Sequence, residues 1–95
     1  MHSKEFVWDE EKHKTNKRKH KVSFKEASSV FDDEFAEYFN DVLHSQDEDR
    51  FIIIGKSKFD RLLLVCHCYR ENNTVIRIIS ARKATESESE LYGGA

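Results

Sequence analysis

RLLLVCHCYRENNTVIRIIS, residues 61–80, is the stretch on which the reading of the fold turns. Two runs rich in β-branched and aromatic residues flank Asn72-Asn73, a pair suited to a two-residue turn whose central residues need positive φ. A hairpin across that turn pairs Glu71 with Thr74, Arg70 with Val75, Tyr69 with Ile76, Cys68 with Arg77 and His67 with Ile78. Alternate side chains share a face, so Arg70, Cys68 and Cys66 join Arg77 and Ile79 on one side, and His67, Tyr69, Ile76 and Ile78 take the other. Arg70 and Arg77 become diagonal neighbours about 7 Å apart. Two guanidinium groups that close repel unless an anion lies between them, and their fixed donor forks match phosphate oxygens. The alternative is that the arginines pair with carboxylates of the acidic segment 32–49.

Working outward, RFIIIGKS (50–57) precedes the hairpin and FAEYFNDVL (35–43) precedes that, read as strands of an antiparallel meander. EFVW (5–8) is a further short strand. Asp9 caps a helix running to about Lys19 or His20, a basic stretch with almost no apolar stripe that must lie on the surface. Ser23 and Glu26 form a capping box before a second helix, SFKEASSVF. From Ser80 to about Tyr92 the residues favour a last helix, with Arg82 in its first turn, where helix amides also favour an anion, and Ala84, Leu91 and Tyr92 as its packing face. The order is β-α-α-β-β-β-β-α, an α+β domain with helices covering one side of a twisted antiparallel sheet.

Ninety-five residues without proline, linker or repeat make one domain with a single small core, spanning 1–95 with its centre at about 5–92. No apolar run reaches the roughly 18 residues a membrane span needs and the N-terminus lacks a signal-peptide core, so a cytoplasmic protein without a membrane partner is expected. Cys66 and Cys68, at i and i+2 of one strand, lie about 6.5 to 7 Å apart and cannot bridge. Both read as small apolar fillers, and His67 points to the opposite face, so neither a metal site nor any cofactor is expected.

The net charge of −2 conceals segregation: residues 1–25 carry +4, 26–49 carry −9, 50–83 carry +6 and 84–95 carry −3. Basic blocks that meet in space would form a positive patch, which bears on a phosphate more than the total does; the alternative is ordinary solvated faces. Among the histidines, His2 and His44 read as exposed, His13 as part of a polar helix and His67 as partly buried. His20 stands between Lys19 and Lys21, whose charge favours a neutral, proton-accepting imidazole.

Three motifs are similar to those of the BrnT toxins of bacterial type II toxin–antitoxin systems. They are W-D-x-x-K-x-x-x-N-x-x-K-H (Trp8, Asp9, Lys12, Asn16, Lys19, His20), V-S-F-x-E-A (Val22 to Ala27) and I-R-I-I-S-A-R (Ile76 to Arg82). The likeness covers about residues 5 to 92. It implies a small RelE-like ribonuclease fold and a metal-independent endoribonuclease acting on RNA. It also implies a cognate, DNA-binding antitoxin of the BrnA kind, with assembly as a dimer or a toxin–antitoxin heterotetramer. It carries over Arg70, Arg77 and Arg82 as the active cluster, with His20, Lys12 and Lys19 as contributors. One departure is Lys21, where the family commonly has glycine; a left-handed helix end there would cost about 1 kcal/mol.

Such chemistry needs no cofactor, because the RNA 2′-OH is its own nucleophile and arginines can offset charge on the phosphate. Lys12, Lys14, Lys17 and Lys19 of the basic helix would then track adjacent phosphates. The rival reading is a non-catalytic nucleic-acid- or protein-binding module, and a third is a small-ligand or metal site at Cys66-His67-Cys68.

Overall fold

A computed structural model of the chain describes residues 5–45 and 48–93, so the expectations for His2, the middle of the acidic turn and Gly94 lie outside the described residues. Five strands form one sheet in the order β1-β5-β4-β3-β2, with β1 Glu5–Val7, β2 Glu37–Asn40, β3 Phe51–Lys56, β4 Leu62–Arg70 and β5 Val75–Lys83. Helices α1 (Glu10–His20), α2 (Phe24–Ser28) and α3 (Glu86–Ser89) complete the expected order of elements. The sheet is antiparallel from β2 to β5, and β1 adds a parallel edge, with Glu5 opposite Val75 and Val7 opposite Arg77. The mixed sheet follows from α1 and α2 reversing the chain between β1 and β2, so that β1 runs beside a strand far away in sequence.

The central hairpin has the register expected from its sequence: Arg70 pairs with Val75, Tyr69 with Ile76, Cys68 with Arg77 and His67 with Ile78. Asn72 and Asn73 take φ of 55° and 70°, and Thr74 N–H donates to the Glu71 carbonyl at 3.2 Å. Beyond His67 the register slips. Cys66 faces Ser80 instead of Ile79, and the extra residue forms a β-bulge. Parity therefore inverts within β5: Ile76 and Ile78 face the core before the bulge, and Ala81 faces it after.

The core lies between α1–α2 and the inner face of the sheet. Phe24, Ala27, Val30 and Phe31 pack on Ile53, Leu63, Val65, Ile76 and Ile78. His67, fully buried, sits among the rings of Phe31, Phe51 and Tyr69 and bonds the Val65 carbonyl, the role of a core residue. Gly55 of β3 passes so close to this layer that a Cβ would lie 2.9 Å from both Ala36 and Val30.

Several local expectations need correction. The second helix is one turn of α followed by a 3-10 turn at Ser29–Asp32, and the 35–43 strand shortens to β2 with a 3-10 turn at Val42–His44. The capping box at Ser23 is only half made. Ser23 Oγ accepts from Glu26 N–H, but the Glu26 carboxylate turns inward to accept from Ser57 Oγ at 2.7 Å and Arg61 Nε at 2.9 Å. Burial with paired charge makes Glu26–Arg61 a clasp between α2 and the β3–β4 turn, and Arg61 extends it to the Lys21 carbonyl.

The expected helix from Ser80 is instead strand up to Lys83, because the bulge lets Ala81 continue the core-facing row. α3 begins only after Thr85, which forms a complete capping box with Glu88. Its surroundings also differ from expectation: Leu91 is half exposed, while Tyr92 packs with Ile54 and Leu64 on the outer face of the sheet and bonds Asp33. Both faces are thus covered, the inner by α1–α2 and part of the outer by the C-terminal segment.

Candidate nucleic-acid interface

α1 starts at Asp9, whose carboxylate accepts from Glu11 and Lys12 N–H, and ends on Lys21 in the left-handed conformation, φ 61°. The helix buries a polar stripe. Asn16 is 6% exposed; its amide donates to the Val22 carbonyl (3.0 Å) and the Ala81 carbonyl (2.9 Å), and accepts from Ala81 N–H (3.0 Å). Where β1 has ended, Asn16 supplies the edge of β5 with the donor and acceptor a neighbouring strand would have given. That anchor fixes the rotation of α1. With 100° per residue, Lys12, Lys19 and His20 lie on the side of Asn16, while Lys14 and Lys17 point away.

Lys12, Lys19 and His20 accordingly line a shallow cleft of about 440 Å³ together with Ile79 and Ser80 of β5. A second cleft, about 780 Å³, continues along the same strand and is lined by Arg70, Arg77, Val7, Trp8 and Thr74. Arg70 and Arg77 therefore open onto one concavity, as their register requires. Glu5, Asp9 and Glu71 line it as well, so it is not purely cationic. Lys14 and Lys17 line neither cleft among the described residues.

Arg82 also departs from expectation. It lies in β5 opposite Leu64, not at a helix start, and the bulge turns it to the same outer face as Arg77. Its guanidinium is held by both oxygens of Glu88, at 2.8 Å each. Arg82, with help from the Thr85 N–H, holds the Glu88 carboxyl down to about 2. The premise that no carboxylate compensates the arginines fails at this residue, and also at Arg70, where Glu48 lies 3.1 Å from an Nη. Pairing with the acidic segment, the alternative reading, thus holds for Arg70. Arg77 has no ion pair among the described residues.

Sequence reasoning missed what the 41–50 segment brings to this face. Glu48 reaches Arg70 and Arg50 beside Cys68. Nearer the sheet centre, Asp41 is buried, accepts from Cys66 Sγ and holds His44 Nδ1 at 3.0 Å. The available signal was the position of Arg50, at the start of β3 directly after a run of acids. Burial first, then Asp41, pushes the Cys66 thiol up to about 12, and burial with the charge of Glu48 raises Cys68. Neither thiol is a nucleophile at neutral pH. Among the described residues no three His, Cys, Asp or Glu side chains are grouped to hold a metal, and no helix is long and apolar enough to cross a membrane.

The same small α+β fold recurs among solved structures. The crystal structure of the Brucella abortus ribonuclease toxin BrnT superposes with a TM-score of 0.66 at 23% identity, over 88% of this chain and all of that one, a likeness of fold. No curated protein matches the chain. A family model described as the ribonuclease toxin, BrnT, of type II toxin–antitoxin systems matches residues 8–88. The molecule is a ribonuclease toxin of a toxin–antitoxin pair. It belongs to the BrnT family, which implies an RNA target and an antitoxin partner.

Proposed function

We propose that this toxin cleaves RNA without a metal, by attack of a 2′-OH on the adjacent phosphorus, with the scissile phosphate held between Arg70 and Arg77. The observation that carries the reading is the cross-strand placement of these two guanidinium groups in one cleft, Arg77 having no carboxylate partner among the described residues. In the reaction the 2′ oxygen bonds to phosphorus, the 5′ oxygen leaves with the electron pair of its P–O bond, and a 2′,3′-cyclic phosphate remains. Arginine donors offset the charge that builds on the phosphoryl oxygens. Lys12, Lys19 and His20 bind the neighbouring nucleotide along β5. His20 lines the cleft with Ser80 and not the one that holds Arg70 and Arg77, which favours binding ahead of proton transfer. Arg82, already saturated by Glu88, shapes the end of the track.

A cognate antitoxin, DNA-binding and BrnA-like, silences the toxin by covering the same cation-lined strand. The test is incubation of purified toxin with an RNA oligonucleotide in excess EDTA, beside the same oligonucleotide carrying 2′-deoxyribose at the cleaved position. Cleavage of the first to a cyclic phosphate and survival of the second are expected. Cleavage of both, or dependence on added divalent metal, contradicts the mechanism. Tight binding with no cleavage at all favours a non-catalytic nucleic-acid module.

A further inference from the structure

Attack by the 2′-OH requires a group to take its proton, and the clamp itself cannot, since guanidinium groups are always protonated. From the geometry around Arg70 we infer that Glu48 is that proton acceptor, a catalytic role that rests on the ribonuclease reading above.

Glu48 Oε1 lies 3.1 Å from one Nη of Arg70, so the carboxylate and a bound phosphate would share one guanidinium. Arg70 lines both the cleft it shares with Arg77 and an adjoining one of about 530 Å³ lined by Glu48, Cys68, Tyr69 and Asn73. It is therefore the wall between carboxylate and clamp. A phosphate on the remaining Arg70 donors would bring its own 3′ ribose, and the adjacent 2′-OH, to the side on which Glu48 stands. Glu48 also keeps accepting capacity. Its second oxygen is 3.7 Å from Arg50 Nε, beyond hydrogen-bond length, and that buried Nε has no hydrogen-bond partner among the described residues.

The charged and titratable groups around Glu48 are Arg50 just before β3, Arg70 and the Cys68 thiol on β4, and Asp49 and Tyr69, which line the same cleft. Arg50 and Arg70 flank the carboxylate and aim it. The proton passes from the 2′-OH to a Glu48 oxygen as the 2′ oxygen bonds to phosphorus; the departing 5′ oxygen takes a proton from water, and Glu48 then returns its own to solvent.

The experiment compares the parent toxin with Glu48→Gln and Glu48→Asp on the same RNA across a pH series. Glutamine keeps an oxygen for Arg70 but cannot take a proton. A drop in kcat of about a hundredfold or more in Glu48→Gln, loss of the acidic limb of its pH profile, and partial recovery in Glu48→Asp are expected. Retained or faster cleavage by Glu48→Gln with tighter RNA binding makes Glu48 only a counter-charge to Arg70 and overturns the assignment. A slow variant whose acidic limb persists shows that Glu48 merely positions Arg70, and overturns it equally. A parent toxin that cuts no RNA refutes the ribonuclease mechanism itself, an outcome separate from either.

Discussion

Lys21 shows what a single residue can cost and what a sequence can say about it. Its φ of 61° and ψ of 32° terminate α1, and its N–H caps the Lys17 carbonyl. The glycine common in the family at this point would adopt that conformation freely, whereas a side chain there crowds the following carbonyl. Lys21→Gly should therefore stabilise the fold by about 1 kcal/mol, seen as a rise in melting temperature of roughly 4–8 °C for a domain of this size. An unchanged or lower melting temperature would show that the Lys21 Nζ bond to the Arg18 carbonyl outweighs the strain. This strain was legible in the sequence through the family pattern. Asn16 was legible only as a motif member, because nothing in a polar helix announces that one amide will complete the edge of a strand 65 residues away. Glu26 misled for a related reason: the spacing Ser23-Glu26 specifies a local box, and the partly exposed Arg61 competes more strongly for the same buried carboxylate.

At the scale of elements, the hairpin was readable because alternation and the Asn72-Asn73 turn fix its register independently and agree. The bulge was not, since Ile79 is as apolar as its neighbours and leaves strand period unbroken for the eye. That one extra residue explains both errors at the C-terminal end, the misplaced helix start and the misplaced Arg82. It also decides that Arg77 and Arg82, five residues apart, share a face when a regular strand would separate them. α3 is only one turn long and depends on its cap, so its stability should follow the ionisation of Glu88. The folded carboxyl is held at about 2, below the roughly 4.5 of a free glutamate, so its contribution is complete above about pH 4.5 and is lost as pH falls through about 2. The melting temperature of Glu88→Gln should accordingly fall less steeply than that of the parent over this interval. Parallel curves would show that the pair with Arg82 contributes nothing to folding.

Across the whole molecule, the blocks of charge read from the sequence do meet, but as a sorted pattern. The basic helix and the basic strand β5 adjoin along one line, and Glu48 and Asp41 stand against Arg70 and Cys66 on the outer face of the sheet. Composition raised the first meeting as one of two readings, the other being ordinary solvated faces. It could not predict the second, which depends on β3 bringing Arg50 and its acidic neighbours beside Cys66 and Cys68. An acidic arm over an arginine clamp is an arrangement that RNA must either displace or use.

Arg77→Ala, with Arg82→Ala as its comparison, is the most direct measurement of the central claim, read as kcat/KM on an RNA oligonucleotide. Loss of a donor to the scissile phosphate predicts a fall of about a hundredfold or more for Arg77→Ala, a much smaller fall for Arg82→Ala, and little change in melting temperature for Arg77→Ala. Cleavage by Arg77→Ala within about threefold of the parent would contradict the clamp and move the search for the active site elsewhere on the sheet.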